Sequence, residues 1–209
     1  MKKLTVLLSL LMILATVPLI AFFGSSSVKK TSSEGISENN VKTEITENFS
    51  TEPAIMYAAF YYSDALEPEA VKALCLICQN NCSADKDYLK DSKNFLNENS
   101  MKEKWKQSYS ENLEKLKTAL NSVKNMKITY NGKEVFIPLF YASDGKTATS
   151  DEYPFLQSIA SPWDKISTEY SKNSKSLGVS VNGVNHIIKQ GVDFTTALLW
   201  YLPDFEIKQ

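Results

Sequence analysis

The amino terminus carries a long uncharged segment that constrains how the rest of the chain can fold. After Lys2 and Lys3, residues 4–23 contain no charged side chain. An α-helix rises about 1.5 Å per residue, so a run of this length spans roughly the 30 Å hydrocarbon layer of a bilayer. The run ends in bulky residues, which favours an uncleaved anchor over a cleaved signal peptide. The two lysines are expected to stay inside and the remaining chain outside.

The next segment is polar and low in apolar side chains. Residues 24–52 are rich in Ser, Asn, Glu, Lys and Thr, and such a composition buries too little surface to order itself. The sequence therefore predicts a cytoplasmic start and transmembrane anchor at residues 1–23, a flexible linker at residues 24–52 and one extracytoplasmic domain at residues 53–209. The expected localisation is the cell membrane, with a single span.

The charged residues exclude several classes of partner. All 23 basic residues are lysine, and the single histidine is His186. Arginine-based reading of base edges is excluded, and a formal net charge of -1 argues against nucleic acid as a partner. One histidine also excludes multi-histidine metal sites. No cofactor, metal or nucleic acid is expected.

Apolar patterning predicts a helix-rich α+β domain in residues 53–209. A nearly continuous apolar stretch begins at Pro53 and predicts a buried helix that ends at Ser63 and Asp64. Pro68 is expected in the first turn of a second helix, where its missing N–H costs nothing. Apolar residues cover most of the circumference of this second helix, which is typical of a core helix.

The middle of the domain shows helical periodicity. Apolar residues recur three or four positions apart from Met101 to Val123, which predicts one amphipathic helix of about six turns. Asn125 is predicted to end this helix in a left-handed conformation. A shorter helix is predicted over residues 184–190.

A β-hairpin is predicted after the long helix. Residues 126–130 and 134–140 flank the dipeptide Asn131-Gly132, which is the strongest short hairpin signal. Pro138 cannot donate a ladder hydrogen bond, so the second strand is expected at an edge or at a bulge. The predicted domain thus combines several helices with a small sheet.

Three cysteines follow one another on the second predicted helix. Cys75, Cys78 and Cys82 lie on one helical face, and three roles remain open. As a metal site they lack a fourth ligand. A disulfide involving Cys82 is one alternative, and packing of the thiols in the core is the favoured interpretation.

Six short motifs occur in an order that a known family shares. They are Glu-Ala-Val-Lys-Ala at residues 69–73, Trp105 with Tyr109, Ile-Thr-Tyr-Asn-Gly at residues 128–132, Ser-Asp-Gly-Lys-Thr at residues 143–147, Ser-Pro-Trp-Asp at residues 161–164, and Gly178, Ser180, Gly183 and Asn185 near the carboxyl end. With these motifs and an amino-terminal anchor, the chain resembles the stage II sporulation protein D family, also called the amidase-enhancer family.

The resemblance implies a role at the cell wall. The best-known members of the family are membrane-anchored lytic transglycosylases that trim peptidoglycan glycan strands during engulfment of the forespore. The implied partners of this chain are peptidoglycan glycan strands, a cell-wall amidase, other engulfment membrane proteins, and the membrane through residues 4–23.

The chain departs from the family at the catalytic position. Counting back from Glu69, the family's catalytic glutamate falls on Tyr61, and a phenol with a pKa near 10 is a poor proton donor for a glycosidic oxygen. Asp64 is a candidate displaced acid, although capping of the next helix by Asp64 and Glu67 is the favoured role. The segment over residues 165–177 is also shorter than in the family.

The resemblance implies a sugar-binding cleft lined by short polar groups. Its candidate substrate-binding residues are Ser143, Gly145, Thr147, Ser180 and Asn185. Ordinary turn chemistry is an equally good account of the loop that contains the first three. Trp163 is expected to be a buried anchor, with sugar stacking as the alternative, and His186 is expected at the surface.

Three hypotheses of function follow. The preferred hypothesis is a membrane-anchored protein that binds or helps remodel peptidoglycan in sporulation without the family's usual catalytic glutamate. The second is an active lytic transglycosylase that uses a displaced acid such as Asp64. The third is a non-enzymatic interaction module of the engulfment complex.

Overall fold

The structure, a computed structural model, describes residues 53–85, 93–166 and 175–209. These residues form a helix-rich α+β fold with short strands, so the predicted fold class is confirmed. The predicted anchor and linker lie outside the described residues. Within the described ranges, no helix is both long and apolar enough to cross a membrane.

Six α-helices and four short strands are present in the described part of the chain. Helix α1 covers residues 53–61. The other helices are α2 (Pro68–Ala84), α3 (Glu98–Trp105), α4 (Tyr109–Val123), α5 (Val181–Lys189) and α6 (Phe194–Tyr201). The strands are β1 (Lys127–Tyr130), β2 (Leu139–Phe140), β3 (Val179–Ser180) and β4 (Phe205–Lys208), and two 3₁₀ turns cover Lys106–Ser108 and Pro162–Ile166.

Helix α2 lies at the centre of the core, as predicted. It begins with Pro68, and its buried side chains include the fully enclosed Leu76 and Ile77. It packs against α4, α5, α6 and β1. Because the helix is apolar over most of its circumference, it can bury surface against all of these neighbours at once.

Helix α1 is the predicted buried apolar helix and is held at its carboxyl end by a lysine. The ammonium group of Lys104, on α3, donates hydrogen bonds of 2.9 Å to the backbone carbonyls of Ala59, Phe60 and Tyr62. The last carbonyls of a helix have no hydrogen-bond partner within the helix, and a cation at this end also interacts favourably with the helix dipole. The arrangement fixes where α1 ends.

The long amphipathic helix is broken in two, contrary to the prediction. Helix α3 ends where Lys106 takes a positive φ of 50°, and a 3₁₀ turn leads into α4. The break lets the Trp105 ring pack edge-on against Tyr62, with ring centroids 5.6 Å apart. No glycine or proline occurs at this position, and the apolar periodicity continues across it. The break was therefore not predictable from the sequence pattern. The predicted left-handed stop at Asn125 is also wrong, because its φ is not positive.

The predicted hairpin is wrong, although its turn is present. Asn131 and Gly132 take positive φ values of 50° and 75°, as a tight turn requires. Beyond the turn, a single bridge joins Tyr130 to Lys133, and the chain then leaves β1. Strand β1 pairs instead with β4 in antiparallel register, with Ile128 opposite Ile207.

Asparagine side chains on α2 explain why the second half of the hairpin separates. The Asn81 side chain, which is fully buried, donates to the carbonyl of Ile137 at 2.7 Å and accepts from its N–H at 2.8 Å. Asn80 donates to the carbonyl of Val135 at 2.8 Å. Backbone groups that a neighbouring strand would satisfy are thus satisfied by α2.

Replacement of Asn81 by alanine is expected to destabilise the fold by about 2 kcal/mol, because both polar groups of the buried Ile137 backbone lose their partner. Asn80→Ala removes one such bond and serves as the matched comparison, with a smaller expected loss. Urea unfolding of the full chain, followed by tryptophan fluorescence, measures both. Equal losses in the two variants would contradict this account of the missing hairpin.

The cysteines of α2 are core thiols. Cys75 and Cys78 are buried, Cys82 is half-buried, and all three are free. Core packing is therefore confirmed for the first two, and the disulfide alternative for Cys82 is wrong. Burial raises the pKa of Cys75 and of Cys82 to about 12 and also raises the pKa of Cys78. Because the thiolate is the reactive form, these thiols are unreactive at neutral pH.

Candidate functional site

A buried carboxylate organises the loops on one side of the domain. Asp164 is fully buried, and its Oδ2 accepts from the N–H of Ser143 at 3.0 Å and from the hydroxyls of Ser143 and Ser161 at 2.9 and 2.8 Å. Its Oδ1 accepts from the Ser180 hydroxyl and the Asn182 amide, each at 2.9 Å. All five donors are uncharged, so hydrogen bonds alone replace the hydration that burial removes.

The Asp164 cluster, defined as Asp164 with Ser143, Ser161, Ser180 and Asn182, joins three of the sequence motifs. Ser180 also accepts from the N–H of Gly183 at 2.9 Å and so caps the amino end of α5. The carboxylate therefore connects the loop before residue 147, the Ser-Pro-Trp-Asp segment and a helix amino terminus. Asp164 belongs to the Ser-Pro-Trp-Asp motif, but its role at the centre of a network was not predicted from the sequence. The available indication was that this acid and three serines all occur within the motifs.

A tyrosine on α6 extends the Asp164 cluster. The Ser161 hydroxyl lies 2.7 Å from that of Tyr201 and gives its own hydrogen to Asp164, so Tyr201 donates to Ser161. Trp163 Nε1 donates to the Tyr201 oxygen at 3.1 Å. Burial raises the pKa of Tyr201 to about 12, which keeps the phenol protonated as a donor. The sequence offered no specific signal for this residue.

The candidate substrate-binding residues of the 143–147 loop are engaged within the protein. Gly145 donates its N–H to the Ser143 hydroxyl at 3.2 Å. The Thr147 hydroxyl donates to the carbonyl of Gln157 at 2.9 Å and accepts from the N–H of Ile159 at 2.7 Å. These contacts fix the shape of the loop. Direct sugar contact by these residues, and by Ser180, stays a prediction.

Asn185 connects α5 to the start of α2. Its side chain accepts from the N–H of Glu67 at 2.8 Å and donates to the carbonyl of Ala65 at 3.3 Å. Glu67 occupies the N-cap position of α2 without a side-chain cap hydrogen bond. Asp64 accepts instead from the Tyr62 hydroxyl, so the predicted side-chain capping of α2 by Asp64 and Glu67 is wrong.

The position that the resemblance assigns to the family's catalytic acid is closed. Tyr61 is buried, and its hydroxyl donates to the carbonyl of Leu139 at 2.8 Å and accepts from the Asn94 amide at 3.0 Å. The candidate displaced acid, Asp64, is 65% exposed and lies 3.8 Å from the ammonium group of Lys115. It also accepts from the hydroxyl of Tyr62, whose pKa is raised by burial.

Three aromatic rings meet beside the Asp164 cluster. The half-buried Trp163 stacks on His186 with ring centroids 5.2 Å apart and planes 8° apart. The ring of Trp200 lies 5.8 Å from that of Trp163 at an angle of 51°. His186 is thus half-buried, with its ring stacked against Trp163. The Nε1 hydrogen bond to Tyr201 is consistent with the anchoring role predicted for Trp163.

Metal-binding groups are not assembled in the described ranges. No set of three or more His, Cys, Asp or Glu side chains in residues 53–85, 93–166 and 175–209 is arranged to hold a metal ion.

Comparison with known proteins gives two partial matches. No protein-family model matches the chain. Stage II sporulation protein D of Bacillus subtilis (strain 168) is 30% identical to it over 102 residues, which cover 43% of this chain and 30% of that protein. Stage II sporulation protein D of Bacillus amyloliquefaciens is 31% identical over 81 residues, which cover 36% of this chain and 24% of that protein. The chain is a divergent relative of stage II sporulation protein D.

These two matches confirm the resemblance inferred from the sequence motifs, at the level of a divergent relative. The matched segments span less than a third of the length of these two relatives of the sporulation protein D type. Similarity over part of each protein is evidence for relationship, whereas activity depends on the residues of the site.

Proposed function

We propose that this protein is an outward-facing, membrane-anchored peptidoglycan-binding protein that helps to remodel the cell wall in sporulation. Residues 4–23 serve as the anchor, and residues 53–209 act outside the membrane on glycan strands. A cell-wall amidase and other engulfment membrane proteins are its proposed partners. The name of the two relatives, stage II sporulation protein D, supports the sporulation role.

The observation that carries a binding role rather than cleavage is the closed position at Tyr61. Glycosidic cleavage needs a protonatable carboxyl group beside the scissile oxygen. A buried phenol that donates its hydrogen to the Leu139 carbonyl offers no such group. Asp64 is exposed and lies beside Lys115, and it lacks the apolar surroundings that tune a catalytic carboxyl acid.

The Asp164 cluster supports the retention of a binding surface. It joins three motifs that the chain shares with the sporulation protein D family, around a fully buried carboxylate. Rigid loops position polar groups for a ligand at low entropic cost. The exposed side chains of Asp144 and Lys146 project from the loop that this cluster holds.

The proposal is tested by incubating the full chain, purified in mild detergent, with purified sacculi. We expect the protein to co-sediment with the sacculi and to release no anhydro-muropeptides, which are detected by mass spectrometry. If the protein binds glycan without cleaving it, the wild type and Asp64→Asn give the same result.

Two outcomes would replace the proposal. Anhydro-muropeptides that are lost in Asp64→Asn would identify an active transglycosylase with a displaced acid. Absence of both products and co-sedimentation would leave a non-enzymatic interaction module without affinity for glycan. Glu103→Gln is the control, because it removes an exposed carboxylate on helix α3, outside the loop that the Asp164 cluster holds.

A further inference from the structure

Trp200 stands out among the described side chains by its exposure. It is 50% exposed, and the other large apolar side chain exposed in the described ranges is Phe60, at 38%. The indole of Trp200 is nevertheless held in place, because its Nε1 donates to the carbonyl of Ala160 at 3.0 Å. A ring fixed in this way loses little further side-chain entropy when a ligand packs against it.

The neighbouring rings make the surface around Trp200 rigid. Trp163 contacts Trp200, stacks on His186 and is itself fixed by its hydrogen bond to Tyr201. Tyr201 in turn belongs to the network around the buried Asp164. The exposed indole is therefore connected through Trp163 and Tyr201 to the Asp164 cluster, which joins three of the sequence motifs.

Polar groups flank the exposed ring. Gln157 donates its side-chain amide to the carboxylate of Asp204 at 2.5 Å, and both side chains are exposed. Gln157 and Ala160 are three residues apart, so their Cα atoms lie at most about 11 Å apart. Two hydrogen bonds therefore join residues 157–160 to residues 200–204, with Trp200 at one end and the Gln157–Asp204 pair at the other.

We propose that Trp200, with Gln157 and Asp204, forms a sugar-stacking subsite for the glycan strand. The inference rests on the proposed peptidoglycan-binding function and names the residues that perform it. The C–H bonds on one face of a pyranose ring pack on the electron-rich face of an indole. The hydroxyl groups at the edge of the sugar then reach the carboxylate and amide of the polar pair.

A sugar fits this surface better than a second protein does. A stable protein interface buries about 800 Å² on each partner and has several apolar anchors at its centre. The surface around Trp200 offers one exposed ring bordered by polar groups, which matches the size and polarity of a single sugar unit. The proposed ligand of this surface is therefore a glycan strand.

The test compares variants of the full chain for co-sedimentation with purified sacculi and with glycan strands from which the stem peptides have been removed. Trp200→Ala is expected to weaken binding to both by about tenfold. Trp200→Phe keeps an aromatic face and is expected to retain most of the affinity. Phe60→Ala, which removes the other exposed ring, is expected to bind as the wild type does.

The outcomes separate this inference from the proposed function. If the wild type binds sacculi and Trp200→Ala binds equally well, the subsite is overturned and peptidoglycan binding stands. If the wild type binds sacculi but not peptide-free glycan, the ligand is the stem peptide and the subsite is again overturned. If the wild type does not bind sacculi, the proposed function fails and the subsite with it. Thermal unfolding of each variant verifies that the fold is retained.

Discussion

Replacement of Asp164 by alanine is expected to lower the free energy of unfolding by about 5 kcal/mol. The carboxylate is fully buried and accepts five hydrogen bonds from the Ser143, Ser161, Ser180 and Asn182 side chains and the Ser143 backbone. Alanine leaves these donors buried without partners, and each such donor carries a desolvation penalty. The loss extends to Tyr201, which donates into the same network.

The Asp164 prediction has two comparison variants. Asp164→Asn keeps one acceptor oxygen but turns an amide toward hydroxyl donors, so it is expected to lie between wild type and alanine in stability. Asp144→Ala removes an exposed aspartate from the neighbouring loop and is expected to change stability by less than about 0.5 kcal/mol. Urea unfolding of the full chain, followed by tryptophan fluorescence, measures all three. A loss below that of Asn81→Ala would contradict the central role of the Asp164 carboxylate.

Replacement of Gly178 by alanine is expected to destabilise the fold by about 4 kcal/mol. Gly178 has a φ of +87°, where a Cβ atom is strained, and that atom would lie 2.1 Å from the carbonyl oxygen of Pro138. The same oxygen accepts the N–H of Val179 at 3.0 Å at the start of the β2–β3 pairing. The neighbour is backbone, so it cannot move aside as a flexible side chain does. The two strands must therefore separate.

Gly191 provides a matched control for Gly178. It has the same φ of +87°, but a Cβ atom there would meet no other atom within 4 Å. Gly191→Ala thus measures the backbone strain alone, which is about 1 to 2 kcal/mol. The difference between the two variants in urea unfolding isolates the close approach to Pro138. Equal losses in both variants would show that the β2–β3 contact contributes nothing to this cost.

The Asp164 network and the buried Tyr61 concern different properties of the protein. The serines around Asp164 are hydrogen-bonded into one network, whereas a buried tyrosine occupies the position that the resemblance assigns to the family's acid. A network of this kind maintains the shape of the loops whether or not a bond is cleaved nearby. Stability measurements on Asp164 variants and product analysis with sacculi therefore address separate properties of the protein.

The helical part of the fold was predictable from local patterns. Helix α1 follows from the apolar stretch after Pro53, because burial of its own side chains stabilises it. Helix α2 follows from Pro68, because proline suits the geometry of the first helical turn. The turn at Asn131 and Gly132 was equally predictable, since only a few residue types adopt positive φ. The break at Lys106 was not predictable, because it accompanies the packing of Trp105 against Tyr62, which lies just after the end of helix α1.

The sequence by itself determined the helix-rich α+β class, the burial of α2 and its thiols, and the relationship carried by the motifs. These features depend on side-chain types and spacings within single elements. Only the tertiary structure decided that β1 pairs with β4, that Asn81 takes the place of a strand for Ile137, and that Asp164 joins three separate segments of the chain. The physical reason is that buried polar groups must find partners, and those partners come from segments far apart in the chain.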